Sequence, residues 1–142
     1  MAGKSRVARN TPGLTSAEVL KDSEEWHRTL VETVGKAGYG IVILQNTPER
    51  EAAIVFVNDE ACKMVGYSPA EVLAMSAWDF FESSELTKLQ ERYRQRQSGE
   101  QVLSYYETTI LCKDGTSLPI EASASTMTYH GNAATVLYHG RS

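Results

Sequence analysis

Few side chains in this 142-residue sequence could do chemistry, and they lie far apart. There are two cysteines, Cys62 and Cys112, and three histidines, His27, His130 and His139. The sequence contains no nucleophile elbow, phosphate-binding loop or zinc-ligand spacing. Two cysteines are too few for a disulfide framework, which indicates a reducing compartment. We therefore expect no catalytic residue and no metal site in this chain.

Each of these reactive side chains has a simple structural interpretation. Cys62 lies in a predicted helix, where a free cysteine usually acts as a small buried hydrophobe. The three histidines are expected at the surface, and His130 with His139 would make a poor metal site without a third ligand. If the protein were an enzyme, it would need an inward-facing acid or histidine with a shifted pKa. Asp79, next to Trp78, is the candidate for that role.

The composition indicates one ordinary globular domain. Hydrophobic residues make up 42% and charged residues 23% of the chain, and the net charge is −4. Three basic residues, Lys4, Arg6 and Arg9, lie in the first 13 positions without an acid, so the remainder is acidic. An acidic body argues against a nucleic-acid surface. No apolar run approaches the roughly 18 residues of a membrane span, so we expect a cytoplasmic protein without a membrane partner.

Residues 1–14 are predicted to be a mobile basic arm and residues 15–36 an amphipathic helix. Thr15 and Glu18 form the pattern of a capping box at the start of that helix. The apolar stripe that follows has helical spacing and consists of Val19, Trp26, Leu30 and Val34. A stripe this narrow predicts that the helix lies on the body of the protein or pairs with a second copy, giving a homodimer.

Residues 37–142 are predicted to form the main domain. Apolar runs with a period of two predict five strands, at 40–44, 53–57, 102–112, 117–129 and 133–140. Short helices follow the second strand, with Asn58 or Asp59 and then Ser68 as caps. Ser83 or Ser84 is expected to cap a longer helix, and the face of that helix with Lys88, Arg92 and Arg96 is expected to be solvated. This order predicts an α+β fold, with one antiparallel sheet and its helices on one face.

Two pairs of segments resemble the PAS sensory domain family. The first pair is Ile-Val-Phe-Val-Asn-Asp-Glu-Ala at 54–61 and Gly-Tyr-Ser-Pro-Ala-Glu-Val-Leu at 66–73. The second pair is Cys-Lys-Asp-Gly-Thr at 112–116 and Ile-Glu-Ala-Ser-Ala-Ser at 120–125. The resemblance spans residues 38–140. It implies a five-stranded antiparallel sheet, short helices on one face, an N-terminal flanking helix used for dimerisation, and a ligand cavity between sheet and helices.

The family resemblance implies a signal-sensing input module for an attached histidine kinase, diguanylate cyclase or transcription regulator. The sequence ends at Arg141-Ser142, before the Asp-Ile-Thr link of many members, so we expect the effector to be missing from this chain. Flavin and haem are not expected as cofactors. In the photoactive, flavin-binding branch of the family a reactive cysteine stands at the position of Ala77. Amide side chains that hold the flavin ring in that branch stand at the positions of Ile110 and Ile120. The long helix lacks the histidine of haem-binding members.

Strand alternation within this resemblance predicts the pocket. The expected lining residues are Met64, Trp78, Phe81, Leu86, Tyr93, Thr108, Ile110, Ile120, Ala122, Val136 and Tyr138. The wall is mainly apolar, with Thr108 and two tyrosine hydroxyls as polar groups, which suits a small apolar or aromatic ligand. Two alternatives stay open. The same side chains fill the core of a ligand-free interaction module, or the cavity belongs to a small α+β enzyme.

Overall fold

The computed structural model describes residues 15–100 and 104–142, without the side chains of Leu20 and Ser23. The predicted arm at 1–14 lies outside the described residues, as do residues 101–103 at the start of the predicted third strand. The chain divides between Val31 and Glu32 into two units, and the second unit contains every strand described below.

The first helix, α1, spans Ser16–Lys36 and begins at the predicted capping box. The Glu18 amide donates to the Thr15 hydroxyl at 3.1 Å, and the Thr15 amide donates to Glu18 Oε1 at 2.8 Å. Three side chains of the predicted stripe, Val19, Trp26 and Leu30, are exposed on this helix.

Five strands form one antiparallel sheet, which confirms the predicted α+β fold class. The strands are β1 (Gly40–Gln45), β2 (Ala53–Val57), β3 (Tyr105–Leu111), β4 (Ser117–Tyr129) and β5 (Asn132–Arg141). Their order across the sheet is β2-β1-β5-β4-β3. His130 and Gly131 join β4 to β5 with positive φ at both positions, the backbone twist that suits a tight hairpin turn.

Between β2 and β3 lie the helices α2 (Asp59–Val65), α3 (Pro69–Leu73), a 3-10 turn (Ala77–Phe80) and α4 (Ser83–Gln97). The three short elements each begin at a side chain that accepts from a backbone amide, namely Asn58, Ser68 and Ser76. Helices this short are unstable in isolation, so caps and packing against the sheet must hold them.

Two expectations for α4 are wrong. The residue before the helix is Glu82, which makes no side-chain cap, so neither Ser83 nor Ser84 caps it. The face with Lys88, Arg92 and Arg96 is not wholly solvated, because Arg96 is buried. Arg92 lies with its guanidinium carbon 5.5 Å from the centre of the Tyr106 ring. The guanidinium group of an arginine packs well on an aromatic ring, and the apolar stem of the side chain favours burial.

The core lies between one face of the sheet and the helices. Its sheet side chains are Val42, Leu44, Ile54, Ile110, Ile120 and Ala122, and its helix side chains include Ala61, Cys62, Val65, Val72, Phe80 and Tyr93. The burial of Cys62 agrees with its interpretation as a small hydrophobe, and desolvation raises the pKa of its thiol. This face of the sheet is therefore the one on which the candidate site forms.

Candidate functional site: an apolar cavity between sheet and helices

A cavity of about 70 Å³ lies against the inner face of the sheet. The sheet contributes Val42, Leu44, Ile54, Val57, Tyr106, Thr108, Ile110, Ile120, Ala122, Leu137 and His139 to its wall, and the helical region contributes Ala61, Val65, Val72, Ala77, Phe80 and Phe81. A site for one water needs roughly 10–15 Å³ by this measure, so the cavity equals about five to seven such sites. Because almost all of its wall is apolar, it favours an apolar occupant over water.

Three side chains bring polar groups to the cavity wall, namely Tyr106, Thr108 and His139. The Thr108 hydroxyl is already engaged, since it donates to Glu85 Oε1 at 2.9 Å. Burial raises the pKa of the Tyr106 hydroxyl, and the charge of Arg96 opposes that shift. The wall therefore holds few polar groups, and their positions decide what it can recognise.

His139 is the residue that sequence reasoning misplaced most. It was expected at the surface, but it is 7% exposed and lines the cavity. Desolvation lowers the pKa of its imidazole to about 4, so the ring is neutral at pH 7. His27 and His130 are exposed, as expected. If the odd-numbered residues of β5 had been assigned to the inner face of the sheet, His139 would have been predicted inside.

The structure brings five of the predicted pocket residues to the cavity, namely Phe81, Thr108, Ile110, Ile120 and Ala122. The other six lie elsewhere, namely Met64, Trp78, Leu86, Tyr93, Val136 and Tyr138. Two of these have polar partners of their own, because the Tyr93 hydroxyl donates to Asn46 Oδ1 at 2.8 Å and Trp78 Nε1 donates to Glu51 at 3.2 Å. Hydrogen bonds to the β1–β2 loop thus occupy the polar ends of two predicted lining residues.

The expectation for β5 is wrong by one residue. Val136 pairs with Ile43 and Tyr138 pairs with Ile41, on the face of the sheet opposite to the cavity. Tyr138 is accordingly 42% exposed. Leu137 and His139 occupy the inner positions in their place. A shift of one residue moves a strand's side chains to the other face, because the side-chain period is two.

Asn58 holds together the start of β1, the end of β2 and the first turn of α2. Its Oδ1 accepts from the amides of Ile41 at 2.9 Å and Ala61 at 3.0 Å. Its Nδ2 donates to the Tyr39 carbonyl oxygen at 3.2 Å. One buried amide side chain therefore ties the start of β1 and the first turn of α2 to the end of β2. The sequence predicted a cap here, with Asn58 or Asp59 as the candidates, and missed the link to β1.

A polar cluster holds the loop between β1 and β2 against α4. Arg94 donates to both Glu51 carboxylate oxygens, at 2.8 and 2.7 Å, and Trp78 donates to one of them. The hydrogen bonds from Arg94 lower the pKa of Glu51, while partial burial opposes that shift. Asn46 in the same loop accepts from the Ala52 amide at 3.0 Å. The hydrogen bonds between Arg94 and Glu51 therefore fix the β1–β2 loop against α4.

The carboxylate considered for an enzyme has a structural role. Asp79 Oδ2 accepts from the Ser76 amide at 3.0 Å, which completes the capping box of the 3-10 turn. Asp79 is exposed and does not line the cavity. Within residues 15–100 and 104–142, no three acidic, histidine or cysteine side chains are placed to hold a metal ion.

The structure defines an α+β domain with a cavity between its sheet and its helices, and comparison with known proteins specifies the family. A family model for the PAS domain matches residues 38–138, so the chain belongs to the PAS domain family. A methyl sulfide methyltransferase-associated sensor of Methanosarcina acetivorans is 27% identical over 117 residues. The match covers 82% of this chain and 11% of that sensor, so the chain spans about a tenth of its length.

Two solved structures show the same fold. One is a domain of a sensory box sensor histidine kinase/response regulator from Geobacter sulfurreducens, with a TM-score of 0.64 and 24% identity, covering 87% of this chain and 96% of that one. The other is a PAS domain from a two-component sensor histidine kinase, with a TM-score of 0.63 and 18% identity, covering 84% and 99%. Both structures agree with the PAS fold that the family match assigns to the chain.

None of the helices described in residues 15–100 and 104–142 has the length and hydrophobicity needed to cross a bilayer.

Proposed function

We propose that this PAS domain is the ligand-binding and dimerising input module of a longer signalling protein. The observation that carries this proposal is the apolar cavity of about 70 Å³ between the sheet and the helices. A ligand moves an output only if it binds one arrangement of the protein more tightly than another. A cavity whose wall contains both strand and helix side chains suits this requirement, because its occupant contacts both layers.

The ligand we propose is small and apolar or aromatic. The small volume of the cavity, about 70 Å³, argues against flavin and haem as its occupants. Ile110 and Ile120 support the same conclusion, because they stand in the wall where the photoactive branch has amide side chains. An alkyl side chain cannot satisfy the polar edge of a flavin.

The effector we propose is a histidine kinase, a diguanylate cyclase or a transcription regulator in the same polypeptide. The similarity to a much longer sensor supports an attached output, and both structural neighbours come from sensor histidine kinases. We also propose a cytoplasmic location, supported by the free thiols of Cys62 and Cys112. The paired arrangement of two chains is proposed to use α1, with its exposed Val19, Trp26 and Leu30.

Xenon binding tests the cavity directly, because xenon enters small dry apolar cavities. We expect saturable ¹²⁹Xe chemical-shift changes with the wild-type chain and none with Ala122→Leu, which fills the cavity. Ala70→Leu is the matched control, since it adds the same side chain at an exposed position of α3. Native mass spectrometry of the purified chain would reveal a retained ligand.

The same xenon measurement can contradict the proposed ligand cavity. If wild type, Ala122→Leu and Ala70→Leu give the same weak xenon shifts, the side chains of the wall simply fill the core. The chain would then be a ligand-free interaction module. Thermal melts of all three proteins show whether each is folded.

A further inference from the structure

The His139 ring occupies a slot that exists because its neighbours are small. On the two adjacent strands its partners are Gly40 and Ala122. A Cβ added at Gly40 would lie 2.5 Å from His139 Nε2, closer than real Cβ atoms approach, and 3.0 Å from the Ala61 Cβ, which is tighter than most real Cβ contacts. The imidazole therefore takes the space that a side chain at position 40 would need, and it lies in the cavity wall.

His139 makes no hydrogen bond with any residue that the structure describes. Buried polar groups nearly always have a partner, and leaving one without a partner destabilises the folded state. Asn58, three residues before Ala61, does not supply a partner for His139, because its side-chain oxygen and nitrogen are hydrogen-bonded to backbone groups. An imidazole at the surface of a cavity, more than nine-tenths buried and unpartnered, has hydrogen-bonding capacity available for an occupant of that cavity.

The charge state of the ring limits what that occupant can be. The neutral form offers one donor nitrogen and one acceptor nitrogen. Burial holds the pKa of His139 near 4, so at pH 7 the ring does not supply a positive charge for an anion. The rest of the wall is apolar apart from Tyr106 and Thr108, and the Thr108 hydroxyl already donates to Glu85. An ionised ligand would be strongly penalised in such surroundings.

We propose that His139 selects the ligand of this cavity, and that the ligand is a small neutral molecule with a compact apolar body and one hydroxyl-type hydrogen-bonding group. This inference rests on the proposed ligand-binding function. It narrows that function from any small apolar or aromatic molecule to one with a single polar group directed at His139. Leu137 and Ile120 contact the apolar body from the same wall.

Cyclopentanol and methylcyclopentane are suitable probes, because they have the same number of non-hydrogen atoms and differ by a hydroxyl in place of a methyl group. Binding is followed by titration of methyl and amide resonances of the chain. In wild type we expect cyclopentanol to shift the ring ¹⁵N resonances of His139. In His139→Phe we expect its affinity to fall about tenfold, while the affinity for methylcyclopentane changes less than threefold.

Two further variants separate recognition from structural damage. His139→Gln retains a donor and an acceptor and should keep part of the preference for the alcohol. His130→Asn removes a histidine from an exposed turn with positive φ and should bind both probes as wild type does. Isobutyrate, an anion of the same size, should bind at least tenfold more weakly than cyclopentanol at pH 7.

The outcomes distinguish this inference from the function on which it rests. If both neutral probes bind and His139→Phe weakens them equally, the cavity binds ligands but His139 does not select them. If isobutyrate binds more tightly than cyclopentanol, the proposed neutral ligand is wrong. If neither neutral probe binds and xenon also fails, both proposals are overturned.

Discussion

A buried histidine that titrates near pH 4 makes the stability of this domain depend on pH in a specific window. In the unfolded chain the imidazole has its ordinary pKa of 6.5, so between about pH 6.5 and 4 the unfolded state binds more protons than the folded state. The free energy of unfolding therefore falls as the pH falls through that window. The loss from His139 is roughly 2–3 kcal/mol by pH 4.5.

Urea unfolding of wild type and His139→Phe at pH 7 and pH 4.5 measures this contribution. Carboxylates with lowered pKa, such as Glu51, weaken both proteins as the pH falls, so the difference between the two slopes isolates His139. We expect the variant to lose roughly 2–3 kcal/mol less than wild type. His130→Asn should behave as wild type. Parallel losses in wild type and His139→Phe would show that the ring is not buried in its neutral form.

The same residue shows why strand alternation was insufficient on its own. β5 has apolar side chains on both faces, with Val136 and Tyr138 outward and Leu137 inward. The outward neighbours Ile41 and Ile43 are themselves buried. A sequence with hydrophobic residues on both faces does not reveal which face meets the helices. Only the pairing with β1 and β4 decides that His139 points into the core.

At the scale of elements, one side chain joins the start of β1 to α2. Replacing Asn58 by alanine leaves the amides of Ile41 and Ala61 buried without their acceptor. We expect a loss of about 2–6 kcal/mol in the free energy of unfolding, from about 1–3 kcal/mol for each of the two unsatisfied amides. Amide hydrogen exchange should accelerate at Ile41 and Ala61 before it does elsewhere in the sheet.

Asn132→Ala is the matched control for this prediction. It makes the same truncation at an exposed position at the start of β5, where substitutions usually change stability by less than about 0.5 kcal/mol. If Asn58→Ala unfolds at the same urea concentration as Asn132→Ala, the hydrogen bonds of Asn58 do not hold these elements together. The short helix α2 would then depend on its apolar contacts alone.

Several element boundaries could be read from the sequence because they depend on local chemistry. The capping boxes at Thr15, Ser68 and Ser76 involve residues three apart, and the first two were predicted from that spacing. The cap of α4 was not predicted correctly, because Glu82 stands at the cap position and makes no side-chain hydrogen bond there. The burial of Arg96 also escaped prediction, because residue spacing alone does not show which elements pack over a face of a helix.

At the scale of the whole molecule, the proposed dimer makes α1 a target for mutation. Leu30→Glu with Val34→Glu places two charges on its apolar stripe. We expect a folded monomer, because charged side chains in a helix–helix contact would lose hydration without gaining a partner. Sedimentation velocity measures the mass, and circular dichroism verifies that the domain is folded.

Lys21→Gln with Arg28→Gln is the control for the double variant. It changes the net charge by the same amount on the opposite side of the helix, so a dimer that depends on the stripe should survive it. A dimer that persists in Leu30→Glu with Val34→Glu would show that the chains associate through another surface.

The sequence by itself determined the family, the order of the elements and most of the strand and helix positions. Those features depend on caps, turns and periodic burial, which act between residues close in the chain. Only the tertiary structure decided which predicted lining residues meet, because a cavity forms between elements that are distant in sequence. His139 lines that cavity because Gly40, about a hundred residues earlier, has no side chain to fill the slot. No local pattern contains that information, since the space depends on the register of two strands.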